Sequence, residues 1–238
     1  MNAAESIPLH EHLRRRARAT PDRAAYLWYG RAISWRELDA ASDAFAARLQ
    51  ALDVKKGEPV ALFMNNCPQY VMAHYGIQKI GAIVCPCGPL SKEHELAYQL
   101  GDLGARVIVA ADGLLPVVDK VRGQTALQHV FVVRYADLLP AGDASIAIPA
   151  ELLAQRAAPA AVPSGCEDFM AVVRAGGTPR PVDIAMDDVA LMTYTSGTTG
   201  LPKGAMLSYG NALYKTAASS DWSDVQGSDV LLAIAPLY

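Results

Sequence analysis

Pro59-Val60-Ala61-Leu62-Phe63-Met64 is an apolar run of strand length, and the order of elements after it decides the fold. A helical stretch from Pro68 to Ile80 comes next, then a second strand-like run from Ala82 to Pro86. Two more runs, Arg106 to Ala110 and Val130 to Val133, alternate with helical stretches from Ser91 to Leu103 and from Leu114 to Arg122. This order predicts an α/β fold with a mostly parallel sheet flanked by helices, as in a doubly wound domain.

Towards the N-terminus, a first helix should stop near Thr20-Pro21, and Gly30 should turn a hairpin between Ala24–Tyr29 and Arg31–Ser34. Ser34-Trp35-Arg36-Glu37 has the spacing of a capping box. It opens a helix whose Leu38, Ala41, Phe45 and Leu49 fall on one face. Towards the C-terminus, residues 138–163 are rich in Ala and Pro and read as a surface connection holding a short helix at Pro149 to Arg156. A helix from Cys166 to Arg174 comes after it, and then a strand from Val189 to Tyr194. Leu231 to Tyr238 also reads as strand-like.

The chain has 238 residues, enough for a substantial core, and 52% hydrophobic with 19% charged residues predicts a globular protein. A net charge of −3 argues against a general nucleic-acid partner. No apolar run has the length of a membrane span, and no signal-peptide core opens the sequence, so the expected location is the cytoplasm. Cys67, Cys85, Cys87 and Cys166 lack the spacing of a disulfide framework or a zinc site and read as reduced thiols, Cys85 and Cys87 packing at a strand end. His10-Glu11-His12 reads as solvated. Glu11 and Arg15 are spaced as a helical ion pair, which with Glu5 breaks the basic character that a targeting peptide would keep across Arg14, Arg15, Arg16 and Arg18.

The chemistry concentrates in Tyr194-Thr195-Ser196-Gly197-Thr198-Thr199-Gly200-Leu201-Pro202-Lys203-Gly204, which combines four Ser and Thr, three glycines and one lysine. Glycines let backbone N–H groups converge, hydroxyls add rotatable donors, and Lys203 brings a movable positive charge. The combination suits a polyphosphate. It is not a Walker loop, because Pro202 stands where that pattern needs glycine and Gly204 where it needs Ser or Thr. Nor is it a hydrolase elbow around Ser196, since Tyr194 occupies a required glycine position. Gly204 to Ser208 reads as a strand, so the loop joins two strands and borrows no helix dipole.

This run resembles the phosphate-loop signature of the AMP-forming acyl-CoA synthetase superfamily, also called acyl-adenylate-forming enzymes. A second stretch, His74-Tyr75-Gly76-Ile77-Gln78-Lys79-Ile80-Gly81-Ala82-Ile83-Val84-Cys85-Pro86, is similar to the superfamily's helix-to-strand segment, where glycines allow close helix packing. Asn66-Cys67-Pro68-Gln69-Tyr70 and Glu95-Leu96-Ala97-Tyr98-Gln99-Leu100 look like the fatty acyl-CoA ligase branch.

The resemblance implies that a carboxylic acid, a fatty acid in that branch, attacks MgATP to form an acyl-adenylate, which coenzyme A then intercepts. It implies that Thr195, Ser196, Gly197, Thr198, Thr199, Gly200 and Lys203 hold the β- and γ-phosphates. It also implies that residues 1–238 are an incomplete, N-terminal part of the large AMP-binding domain. Pro236-Leu237-Tyr238 is similar to the start of a further motif. The catalytic residues, the Mg²⁺ ligand and a C-terminal domain with its own lysine are then expected beyond Tyr238, and 1–238 alone is expected not to turn over. Two other readings stay open: an amino-acid or aryl-acid adenylating domain, and a noncatalytic nucleotide-binding or interaction module.

Overall fold

The computed structural model describes residues 6–142, 146–195 and 201–237. Helix α1 (Leu9–Ala19) precedes a hairpin of β1 (Ala24–Trp28) and β2 (Arg31–Ser34), and then α2 (Trp35–Ala51). The alternating region is β3 (Pro59–Phe63), α3 (Pro68–Lys79), β4 (Ile83–Cys87), α4 (Glu93–Leu103), β5 (Val107–Ala111), α5 (Leu115–Arg122) and β6 (His129–Val133). After it come α6 (Ala150–Ala157), β7 (Glu167–Asp168), α7 (Phe169–Ala175), β8 (Val189–Tyr194), β9 (Gly204–Ser208) and α8 (Tyr209–Trp222).

The main sheet has the order β7-β6-β5-β3-β4-β8-β9 and is parallel throughout except for β8 with β9. Side chains alternate between its two faces. Val60, Leu62, Val107, Val109, Phe131 and Val133 pack towards α2, α3 and α7, where Phe45 meets Phe131 edge-on at 5.2 Å and Phe169 at 5.0 Å. Ala61, Phe63, Ile108, Ala110, Val130 and Val132 pack towards Leu96 and Leu100 of α4 and Val118 and Val121 of α5. With apolar residues needed on both faces, the strands appear in sequence as unbroken apolar runs.

Local signals end the elements where the sequence says they should. Ser34 Oγ accepts from the Glu37 N–H at 3.1 Å, and Glu37 Oε2 accepts from the Ser34 N–H at 2.7 Å, closing the box that starts α2. Gly104 ends α4 with φ 62°, a conformation costly to a residue bearing a Cβ. Gly76 is required by proximity instead. A Cβ there would lie 2.9 Å from both Phe45 Cδ1 and the Ser42 carbonyl oxygen, so α2 and α3 approach as closely as they do only over a glycine.

Four expectations need correction. The helix expected from Cys166 begins at Phe169. Glu167 and Asp168 instead pair with Phe131 and Val132 of β6, and Asp168 Oδ1 caps α7 by accepting from the Ala171 N–H at 2.7 Å. Residues 231–237 form no strand: among the described residues no neighbouring strand offers them a ladder, and their side chains are exposed. His10 is not solvated. It is 4% exposed, set edge-on to Tyr209 with ring centroids 5.8 Å apart, because α1 turns that face towards α3 and α8. Glu11 approaches Arg14 at 3.8 Å, and among the described residues Arg15 has no ion-pair partner.

Within residues 138–163 the expected short helix is present as α6, with none of its residues buried. Gln155 ties it down: Oε1 accepts from the Ala136 N–H at 2.8 Å and Nε2 donates to Asp112 Oδ2 at 2.7 Å.

Candidate nucleotide-phosphate site

Of the sequence-designated site residues, Thr195 and Lys203 are described. Ser196, Gly197, Thr198, Thr199 and Gly200 lie outside the described residues. The loop leaves the C-terminal end of β8, the end of a parallel sheet at which ligands gather. Its neck is closed by backbone pairing. The Thr195 N–H donates to the Lys203 carbonyl at 3.0 Å, and the Lys203 N–H donates to Thr195 Oγ1 at 3.1 Å. The Thr195 hydroxyl therefore uses one lone pair within the neck and keeps its own hydrogen for another acceptor.

Helix α4 anchors this neck. Tyr98 donates its hydroxyl to the Pro202 carbonyl at 2.9 Å, and Tyr194 donates to Asp102 Oδ2 at 2.5 Å. The two rings meet edge-on with centroids 6.5 Å apart. Burial raises the Tyr194 phenol above its ordinary pKa, and the hydrogen bond to Asp102 and that carboxylate's charge raise it further, so the donor stays protonated. Sequence reasoning missed both anchors on α4. The signal available was modest: Tyr98 and Asp102 are four apart, on one helical face.

Lys203 is exposed, and among the described residues no carboxylate pairs with it. A neck presenting an uncommitted ammonium and a free hydroxyl hydrogen fits an anion. The donor set does not fit a divalent cation, and among the described residues no three His, Cys, Asp or Glu side chains gather as a metal would need. Two hollows of about 540 and 400 Å³ lie against α2, and neither is lined by a residue of α4, β8 or β9.

The four cysteines are free thiols. Cys67, Cys85 and Cys87 are buried, and burial pushes Cys67 and Cys87 up to about 12, so they pack as small apolar groups.

Residues 13–238 match the family described as AMP-binding enzyme. The chain belongs to that family. Among curated relatives, the long-chain-fatty-acid–CoA ligase of Bacillus subtilis (strain 168) is 31% identical over 229 residues, covering 92% of this chain. The same-named protein of Escherichia coli O6:H1 is 36% identical over 223 residues, covering 91%. The chain spans 40% of the length of each of these relatives. Acetoacetyl-CoA synthetase from Streptomyces lividans shares the fold with a TM-score of 0.79 at 22% identity, over 97% of this chain and 35% of that one. Among the described residues no helix is long and apolar enough to cross a membrane.

Proposed function

We propose that this chain carries the phosphate-gripping part of an AMP-forming acid–CoA ligase, and that the acid is a fatty acid. The observation that carries the reading is the loop at the end of β8, with its neck closed on itself and Lys203 left without a carboxylate partner among the described residues. The fatty-acid substrate is supported by the names of the B. subtilis and E. coli relatives.

In this reading the acid's carboxylate attacks the α-phosphorus of ATP, the bond to the bridging oxygen breaks, and pyrophosphate leaves. A thiol then attacks the acyl carbon and AMP departs. The attacking acid is already ionised near neutral pH, so no base is needed and no protein nucleophile is used. The chain's contribution is positional and electrostatic. Lys203 and the Thr195 hydroxyl, with Ser196, Gly197, Thr198, Thr199 and Gly200, hold the β- and γ-phosphates and offset charge as pyrophosphate departs. Tyr98 and Asp102 keep the neck in place without touching substrate. Magnesium would accompany the nucleotide, screening its phosphates, and no described residue is assigned to it.

The test separates the two half-reactions in the whole protein that carries this chain. Lys203→Ala removes a charge-assisted contact of about 1.5–3 kcal/mol, so acid-dependent pyrophosphate release should fall about ten- to a hundredfold. Transfer from presynthesised acyl-adenylate to coenzyme A should change little, since it uses no pyrophosphate site. Equal loss in both steps, at matched thermal stability, would rule out the phosphate grip.

A further inference from the structure

The smaller of the two hollows against α2, about 400 Å³, falls within the size range of small-molecule sites. Its walls are apolar and come from β2, α3, α7 and the turn after β6: Ile33, Met72, Met170, Val173 and Leu138. Met72 and Met170 are 3% and 6% exposed, so the floor is narrow. Unbranched thioether chains repack at little cost, which lets such a floor widen around a thin, flexible guest.

The rim carries the polar groups. Tyr29 and Gly30 turn the hairpin with φ 48° and 89°, a two-residue turn that sets Arg31 opposite Trp28 at the start of β2. Arg31 lines the hollow there, its side chain 35% exposed. Among the described residues its guanidinium makes no hydrogen bond, and Glu37 Oε1, the carboxylate oxygen that pairs with it, stands at 3.8 Å, beyond hydrogen-bonding distance. Glu37 does not depend on that pairing, since its Oε2 accepts from the Ser34 N–H at 2.7 Å in the box that starts α2. Asp43, also on the lining, has its charge offset by Arg14 and Lys79, each at 2.7 Å. The larger hollow lacks this feature: its Arg48 gives Nε and Nη2 to Glu167, both at 2.8 Å.

An unspent guanidinium fork over an apolar floor complements an amphiphile with one planar, singly charged head. A phosphate head suits it less, because a second negative charge would face Glu37 with no further cation on the lining. We infer that this hollow is a binding site for an alkyl carboxylate, whose tail lies along Met72 and Met170 and whose head takes the Arg31 fork. The inference goes beyond the ligase reading and does not depend on it, since no residue of α4, β8 or β9 lines the hollow. In a protein that consumes a carboxylic acid it is a second place for one, apart from the reacting centre.

The test uses the whole protein that carries this chain and an octanoate bearing a diazirine near the end of its tail, crosslinked by light and mapped by mass spectrometry. Peptides containing Met72 or Met170 should be labelled saturably. Plain octanoate should compete at about tenfold or more lower concentration than octanol, which has the tail without the charge. Arg31→Gln should remove that preference, and Arg31→Lys, which keeps the charge but not the fork, should fall between. Ala40→Leu puts a larger side chain on the exposed part of the lining and should abolish labelling at these two peptides while leaving any labelling elsewhere. Should Ala40→Leu fold poorly, the two Arg31 variants decide alone, because that side chain makes no hydrogen bond among the described residues whose loss would unfold the chain. No label at either peptide, equal competition by octanol and octanoate, or an unaltered preference in Arg31→Gln would each overturn the site. Loss of the site would leave the pyrophosphate assay of Lys203→Ala untouched, and failure of that assay would leave this labelling untouched, so the two readings stand or fall separately.

Discussion

Lys79 sits with its side chain 1% exposed, its ammonium held by Asp39 Oδ1 at 2.6 Å, Asp43 Oδ1 at 2.7 Å and the Asp39 carbonyl at 2.9 Å. Arg14 reaches the same Asp43 at 2.7 Å, so two cations and two carboxylates join α1, α2 and α3. His10 lies beside them and stays neutral. Burial lowers its pKa to about 4, and the charges of Lys79 and Arg14 push the same way against a smaller opposing effect of Asp43. The unfolded chain takes up this proton near pH 6.5 and the folded one only near 4, so stability is full above about 6.5 and drains as pH falls towards 4. At about 1.4 kcal/mol per unit the loss is at most about 3.5 kcal/mol. Burial also lowers His74 to about 4 with the same sign, so part of the slope survives without His10. We expect His10→Leu to flatten the change in urea midpoint between pH 7 and pH 5, and an unaltered slope would contradict the assignment. Little of this was legible in His10-Glu11-His12, because Asp43, Lys79 and Tyr209 lie on helices roughly 30 to 200 residues away.

Among the elements, legibility tracks range of interaction. The strands from Pro59 to Val133 and the helices between them were readable because each carries its own period and bounds. The capping box at Ser34 was readable for the same reason. Glu167–Asp168 was not: two polar residues become a strand only because β6 offers an edge. Residues 231–237 have strand composition but, among the described residues, find no strand neighbour. The phosphate loop was visible in composition alone, whereas its anchors on α4 come some ninety residues earlier and were not. Gly76 is the element-scale case with the cleanest test. Gly76→Ala would place a methyl against the Phe45 ring and the rigid Ser42 carbonyl, so α2 and α3 must separate. We expect a loss of about 1–3 kcal/mol in denaturant unfolding, larger than the helix-propensity gain of about 1 kcal/mol from removing glycine. A net stabilisation would show that the helices yield at little cost.

At the scale of the molecule, the chain builds β3 to β6 consecutively and then returns, past the whole set, to lay β8 against β4. The return is secured by Tyr209, 1% exposed, which donates its hydroxyl to the Gln78 carbonyl at 2.8 Å. Contacts close in sequence form at lower entropic cost than distant ones. Pulse-labelled refolding should therefore protect amides of β3, β5 and β6 before those of β8 and β9. Simultaneous protection would mean that the sheet closes as one unit. During biosynthesis the same topology becomes a delay. Cys87 leaves the ribosome roughly a hundred residues ahead of Tyr194, which at typical elongation of about 5–20 residues per second is a wait on the order of ten seconds. Through that interval β4, buried along its full length in the finished sheet, offers an unpaired apolar edge to every other nascent chain nearby. The strand that carries the phosphate loop is thus also the strand that ends the window for misassembly.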